Sequence, residues 1–560
     1  MKIKNLFHSL LYCFLFCTLS LISCKSKAGS NVAETPQEMQ EKTPDLINQY
    51  INNAISTGRF SDTSIQLKYP HIAKLIYEKN DYSSLWCNKE LWLPAGDSLF
   101  SFIETSKLFG LFPQDYHFGN LNMIRQKFFI DTLAVSDRKD VSLWAKADIM
   151  LTDAFINIIH DIKLGRLPND SITLRKDSVL QNDFYLQQFD ALKETELSAL
   201  VKSLEPSHKG YLLLKEGIKK FLDSADYRVF TKVPYSTENL KKFNSALQKR
   251  LFEEGYITFI NVAADSLQLA KAIKAFQKKN GLAVDGKAGE GTIRKLNEND
   301  TEKFYRIAIS MDKYKMLPEK MPQKYIWVNV CSNYLDVIED DTVKLTSKVI
   351  TGRPKTRTPV LTSAISQLIT YPQWTIPQSI IVKEILPAVK RNPGYLLRKG
   401  FSVVDSKGNE LDPYSINWSK YSKGIPYRIV QGSGDANALG IMKFQFDNKY
   451  SVYLHDTNQR YLFSNATRSL SHGCVRVQQW EKLTYYILKN DSLSEGPGYS
   501  KIDSVKTWLQ NKEKKIVALK NKLPVFIRYF TCQGVNGRIV FYNDIYGEDK
   551  WLSEKYFAGN

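Results

Sequence analysis

Two short stretches decide how this chain reads: Tyr453-Leu454-His455-Asp456-Thr457, and then Ser471-His472-Gly473-Cys474-Val475-Arg476-Val477. A cysteine thiol is a useful nucleophile only as thiolate, so it needs a base or a positive neighbourhood. His455 stands nineteen residues before Cys474, on a predicted strand. Two strands of one sheet, joined by a loop, bring such positions together. His472 and Arg476 lie two residues either side of Cys474, and strand alternation puts them on its face. Gly473 lets the backbone approach an acyl substrate closely, and the neighbouring amides are candidate oxyanion donors.

One cysteine and two histidines are weak evidence alone. A buried cysteine near a core histidine is the common case, and a metal site of His455, His472 and Cys474 is the rival chemistry. The whole string with its upstream histidine, however, resembles the active-site signature of L,D-transpeptidases of the YkuD fold. Other stretches resemble the large, multi-domain YcbB-type branch: Thr358-Pro359, Pro372-Gln373-Trp374-Thr375-Ile376-Pro377, Asn437-Ala438-Leu439-Gly440, Lys443-Phe444 and Asp544-Ile545-Tyr546-Gly547. The resemblance implies that Cys474 attacks the third residue of a peptidoglycan stem peptide and expels D-alanine. It implies His455 as general base, Gly473 and Cys474 amides at the oxyanion, and His472 and Arg476 as positioning groups. It assigns substrate contacts to Tyr453, Arg476, Trp374, Asn437 and Ser471. A second stem's amine then takes the acyl group, giving a 3→3 cross-link, with no metal and no organic cofactor. Two other functions fit the same residues: an L,D-carboxypeptidase using water, and a wall-binding lipoprotein with a silent catalytic domain. Asn437 and Gly440 also read as turn-shaping residues, Trp374 as core packing and Lys443 as a surface charge.

Outward from the motif, alternation in Tyr325–Val330 and Tyr334–Ile338 opens a β-rich catalytic domain over 323–545, with a partly helical capping insertion over 379–427. Before it, 301–322 reads as a linking helix. Residues 236–300 hold Ala272–Gln277, Asn280–Gly286, Gly291-Thr292 and Leu296: a helix stopped by Gly281, a turn at Asp285-Gly286 and a second helix capped by Thr292. This module resembles the three-helix peptidoglycan-binding family. Residues 46–235 read as a helical scaffold, with Leu143, Ala147, Met150, Leu151, Ala154 and Ile158 at three- and four-residue steps. His71, His117, His160 and His208 lack partners at ligand spacing and read as structural or surface residues. Residues 546–560 read as a tail. The fold class is thus multi-domain α+β.

The N-terminus reads as a targeting signal. Lys2 and Lys4 precede an apolar run from Leu10 to Ile22, too short for a comfortable membrane span. Leu21-Ile22-Ser23-Cys24 resembles a bacterial lipobox, which implies a signal over 1–23, a lipid on Cys24 and a flexible tether over 24–45. That places the body at a membrane of the cell envelope, the outer one by preference. After the signal, Cys87, Cys331, Cys474 and Cys532 remain, scattered rather than paired at short spacing; one disulfide and a free reactive thiol are both open. The net charge of +19 over 560 residues favours anionic partners. For an exported protein these are stem-peptide carboxylates and anionic lipids rather than nucleic acid. The sequence names no protein partner.

Overall fold

The computed structural model describes residues 32–60, 65–88, 91–129, 139–168, 179–235, 239–260, 266–492 and 501–557. The signal segment and Cys24 lie outside them. No described helix is long and apolar enough to cross a membrane.

The flexible tether expected over 24–45 gives way to a helix from Pro36 on, and residues 24–31 lie outside the described residues. Thr35 accepts from the Glu38 amide and opens a helix over Pro36–Thr57 that buries Met39, Thr43 and Ile47. Met39, Thr43, Ile47 and Ile51, at four-residue spacing in a polar stretch, form the one buried face that docks this helix on the scaffold. Its neighbour, Val141–Lys163, starts at an Asp140 cap and is buried nearly all round. Such a helix cannot leave its polar side chains unpaired. Asp148 accepts from the Tyr77 hydroxyl at 2.6 Å and from the backbone amides of Leu85, Trp86 and Cys87. Asp153 meets His117 at 2.8 Å, and Asp161 meets His160 at 3.1 Å. His208 accepts from the Gly210 amide, and His71 is exposed, so none of the four histidines joins a site.

The small module has helices over Leu240–Glu253, Ser266–Lys279 and Glu290–Asn297 around its own core of Leu247, Ile273, Phe276 and Leu296. Its conspicuous polar residues form one clasp. The Gln277 amide donates to Asp285, Thr292 and the Lys287 carbonyl, and its oxygen accepts from the Asp285 and Gly286 amides. Thr292 therefore does not cap the last helix. It sits inside it, and its hydroxyl also reaches back to the Lys287 carbonyl.

The expected linking helix, Asp300–Lys315, is a packing element. It buries Phe304, Ile307, Met311 and Tyr314 against Tyr211 and Leu214 of the scaffold and Trp327, Phe526 and Phe530 of the β domain.

In the β domain the strands run, in sheet order, Ser469–Ser471, Thr342–Gly352, Val475–Val477, Leu454–His455, Met442–Phe446, Leu361–Thr370, Lys515–Arg528, Lys324–Asn329 and Tyr334–Glu339. Tyr334–Glu339 also pairs with Thr342–Gly352, so the sheet closes on itself around a core of Val328, Leu368, Phe444 and Val525. Closure pairs both edges of the eight strands of this ring and ties their registers together, with Ser469–Ser471 as an outer strand on Thr342–Gly352. The capping insertion is a lobe with its own four-stranded sheet and its own core, including Ile376, Ile385, Val403, Trp418 and Ile429. That core reaches beyond 379–427, because Trp374-Thr375 and Arg428–Gln431 pair beneath it.

The expected tail is packed as far as Phe557. Glu548–Leu552 is helical, and Asp549 accepts from the buried Lys313. The Tyr546 hydroxyl donates to the Gly352 carbonyl at 2.8 Å and accepts from the Thr358 amide at 3.0 Å.

Candidate active site

Leu454–His455 and Val475–Val477 are parallel neighbours, with Leu454 opposite Val475 and His455 opposite Arg476. The Val475 amide donates to the Tyr453 carbonyl at 3.1 Å. This pairing brings Cys474, the residue just before the second strand, beside Tyr453 and His455. A cavity of about 280 Å³ opens there, lined by Tyr453, His455, Ser471, His472, Cys474 and Arg476 from the sheet. Trp374 and Pro377–Ile380 close it from the cap.

The nucleophile loop is held tightly. Gly473 takes φ +125°, a conformation that side chains disfavour. The Ser471 hydroxyl donates to the Cys474 carbonyl at 2.6 Å and accepts from the Gly473 amide at 3.1 Å. Thr358 donates to the Gly473 carbonyl and accepts from the Gly352 amide, both at 2.8 Å. Two expectations change here. The Gly473 N–H is engaged within the loop, so it does not face an oxyanion. The Ser471 hydroxyl is likewise engaged in shaping the loop. The Cys474 amide has no partner among the described residues and is the remaining donor of the pair.

The Cys474 thiol is half-buried, contacts the Ser451 carbonyl at 3.9 Å and shares the cavity with Tyr453. Burial pushes its pKa up, while the Tyr453 bonds and the charges of Lys443 and Arg476 pull it down. Trp374 lines the cavity wall with Tyr453 and also packs against Phe401 in the cap core. His455 is buried, and burial followed by the Arg476 charge lowers its pKa to about 3. Its Nδ1 is buried without a partner. A neutral imidazole with an unpaired nitrogen is the state a general base requires.

Arg476 bonds Gln459 at 3.1 Å and keeps a buried Nε without a partner. His472 turns toward the cap, where Glu384 meets its Nε2 at 2.5 Å. Asn437 does not reach the cavity. Its amide bonds the Gln431 and Gly432 carbonyls and its oxygen accepts from Leu439, so all its polar groups serve the turn. That turn is tight: a Cβ on Gly440 would lie 2.3 Å from the Asp456 carboxylate, which explains the Gly.

The sequence reading gave two side chains no role in the site. Lys443, read as a surface charge, faces His455 from the next strand. Glu384 carried no motif at all. Alternation hinted at the first; only the cap's fold positions the second. Among the described residues no group of three or more His, Cys, Asp or Glu is placed to hold a metal ion. Cys87, Cys331 and Cys532 are buried and unpaired.

Comparison with known proteins agrees with this geometry. Residues 323–494 match the profile of the YkuD L,D-transpeptidase catalytic domain, 72–218 that of a scaffold domain and 244–296 that of a peptidoglycan binding domain. A Haemophilus influenzae protein named "Putative L,D-transpeptidase" is 34% identical over 248 residues, covering 44% of this chain and 49% of that protein. The chain thus spans about half the length of this relative. Solved structures that match include the Enterococcus faecium L,D-transpeptidase catalytic domain acylated by ertapenem, at 12% identity, 37% of this chain, 99% of that chain and a TM-score of 0.17. An L,D-transpeptidase from Stackebrandtia nassauensis matches at 17% identity, 50% of this chain, 88% of that chain and a TM-score of 0.16. At such scores the superpositions carry no argument. The family matches do, and they show that this chain carries a YkuD-family L,D-transpeptidase catalytic domain alongside a scaffold domain and a peptidoglycan-binding domain.

Proposed function

We propose that this protein is an L,D-transpeptidase that forms 3→3 cross-links in peptidoglycan at the cell envelope. The observation that carries the reading is the single cavity shared by a half-buried thiol, Cys474, and a buried neutral imidazole, His455. The Cys474 sulfur attacks the carbonyl carbon of the third stem residue, and the thiol proton passes to His455. The Cys474 amide stabilises the oxyanion; loss of one such donor is worth about 3 kcal/mol. The C–N bond to D-alanine breaks, and His455 returns the proton to the leaving amine. A second stem's amine then attacks the thioester, losing its proton through His455 to the departing thiolate. Tyr453, Trp374 and Arg476 line the path and orient the stem, and the small module holds the body on the wall.

The test is incubation of the full-length protein with purified disaccharide-tetrapeptides, read by mass. Wild-type protein is expected to yield dimers joined through two third residues, and Cys474→Ala none. Loss of D-alanine without dimers in the wild type would make it a carboxypeptidase instead. Wall binding with no change in the peptides would leave only a structural role. Carbapenem should add its mass to Cys474 in the wild type and not in the variant, because the same thiol opens that ring.

The lipobox reading places the anchor at Cys24. Cys24→Ala should move the protein from membrane to soluble fractions; retention in the membrane would place the anchor elsewhere.

A further inference from the structure

Lys443 has no part in the steps above, yet its position is constrained. Met442–Phe446 pairs antiparallel with Leu454–His455, and the register sets Lys443 directly opposite His455. The parallel neighbour sets Arg476 opposite His455 on the other side. Directly paired residues share a face. Cation, imidazole and cation therefore form one row across three strands, beside the thiol.

The Lys443 ammonium lies 4.0 Å from the centre of the Tyr453 ring, a cation–π contact. Tyr453 in turn lines the same cavity as the Cys474 thiol, held there by the bond from the Val475 amide to its carbonyl. Lys443 is half-buried, and no carboxylate or carbonyl of a described residue takes up its protons. A desolvated cation without an anion is unfavourable unless an anion arrives. Burial lowers the Lys443 pKa and the Cys474 thiolate raises it; reciprocally, the Lys443 charge favours the thiolate. The other charged or titratable groups around the thiol, among the described residues, are Arg476 with Arg353 and Tyr461 beyond it, Tyr450, Tyr453, His455, and His472 paired to Glu384 of the cap. The only carboxylate among them is engaged by His472.

We propose that Lys443 is a positioning residue for the acyl transfer: its ammonium, seated on the Tyr453 ring in the cavity wall, favours the Cys474 thiolate and fixes the ring beside it. This rests on the reading of Cys474 as the nucleophile.

The experiment is alkylation of the full-length protein by iodoacetamide over a pH series, quantified on the Cys474 peptide by mass. Lys443→Met is expected to need a pH about one unit higher for half-maximal rate, so alkylation at neutral pH falls roughly tenfold. Lys443→Arg, which keeps the charge, should retain the wild-type profile. An unshifted profile in Lys443→Met would overturn the proposal. Should that variant fail to fold, by circular dichroism, Lys443→Gln gives the same comparison with a polar neutral chain. The tetrapeptide assay separates the two readings. A shifted profile in a protein that forms no dimers would sink the transpeptidase and leave Lys443 its role. Dimers from wild type with no shift in the variant would do the reverse.

Discussion

His455→Ala should slow acylation of Cys474 by about a hundredfold to ten-thousandfold, the usual contribution of a positioned general base. Time-resolved mass spectrometry of the carbapenem adduct reads the rate directly. The environment of His455 keeps it neutral in the resting state, so the proton it takes must be offset by the charge that forms beside it. Burial comes first and the Arg476 charge second, and together they bring its pKa to about 3. The imidazole is therefore free to accept the thiol proton across the neutral range. The developing thiolate then supplies the negative charge that makes the imidazolium tolerable. The wild-type rate should accordingly show no acid limb at the ordinary imidazole value near 6.5. Stability follows with a definite sign. The unfolded chain binds a proton here below about pH 6.5, and the folded chain does not until about pH 3, so acidification through that window disfavours folding. His455→Ala should flatten this part of the stability profile. A variant acylated at the wild-type rate would place the base elsewhere.

The largest expected loss of stability lies far from the chemistry. Asp148→Ala removes one carboxylate that accepts from the Tyr77 hydroxyl and from three successive backbone amides, Leu85 to Cys87. Asp148 is fully buried, so water cannot replace it. Burial raises its pKa, opposed by these hydrogen bonds, which shows how much its charged form depends on them. Each stranded buried donor costs about 1–3 kcal/mol, so the variant should lose at least about 3 kcal/mol. Thermal unfolding of the full-length protein followed by circular dichroism reads the loss, with the earliest transition moving down. Asp148→Asn, which keeps one acceptor oxygen and the same volume, should lose less. Equal transitions for Asp148→Ala and wild type would mean that the Leu85–Cys87 turn does not depend on this helix.

Local patterns in the sequence determined the parts whose interactions are themselves local. The Ser471–Arg476 string with His455, the helical steps of Val141–Lys163 and the Gln277, Asp285 and Thr292 frame each fall within reach of one strand pair, one helix or one turn. Helical and strand periodicity report which face is apolar over a few residues, and that much can be read directly. Even there the role of a side chain could differ: Thr292 belongs to the clasp and not to a cap, and the Ser471 hydroxyl and the Gly473 amide serve the loop. The tertiary structure alone decided what depends on register between distant strands and on docking of separate segments. It set Lys443, His455 and Arg476 in one row, because three strands had to align within a sheet that closes on itself. It joined Glu384 of the cap to His472 across 88 residues. It turned the expected tether from Pro36 on into a packed helix, and the start of the expected tail into a brace whose Tyr546 bonds Gly352 and Thr358 behind the nucleophile. Such contacts are fixed by backbone hydrogen bonds and burial between residues far apart in the chain, which no local period records.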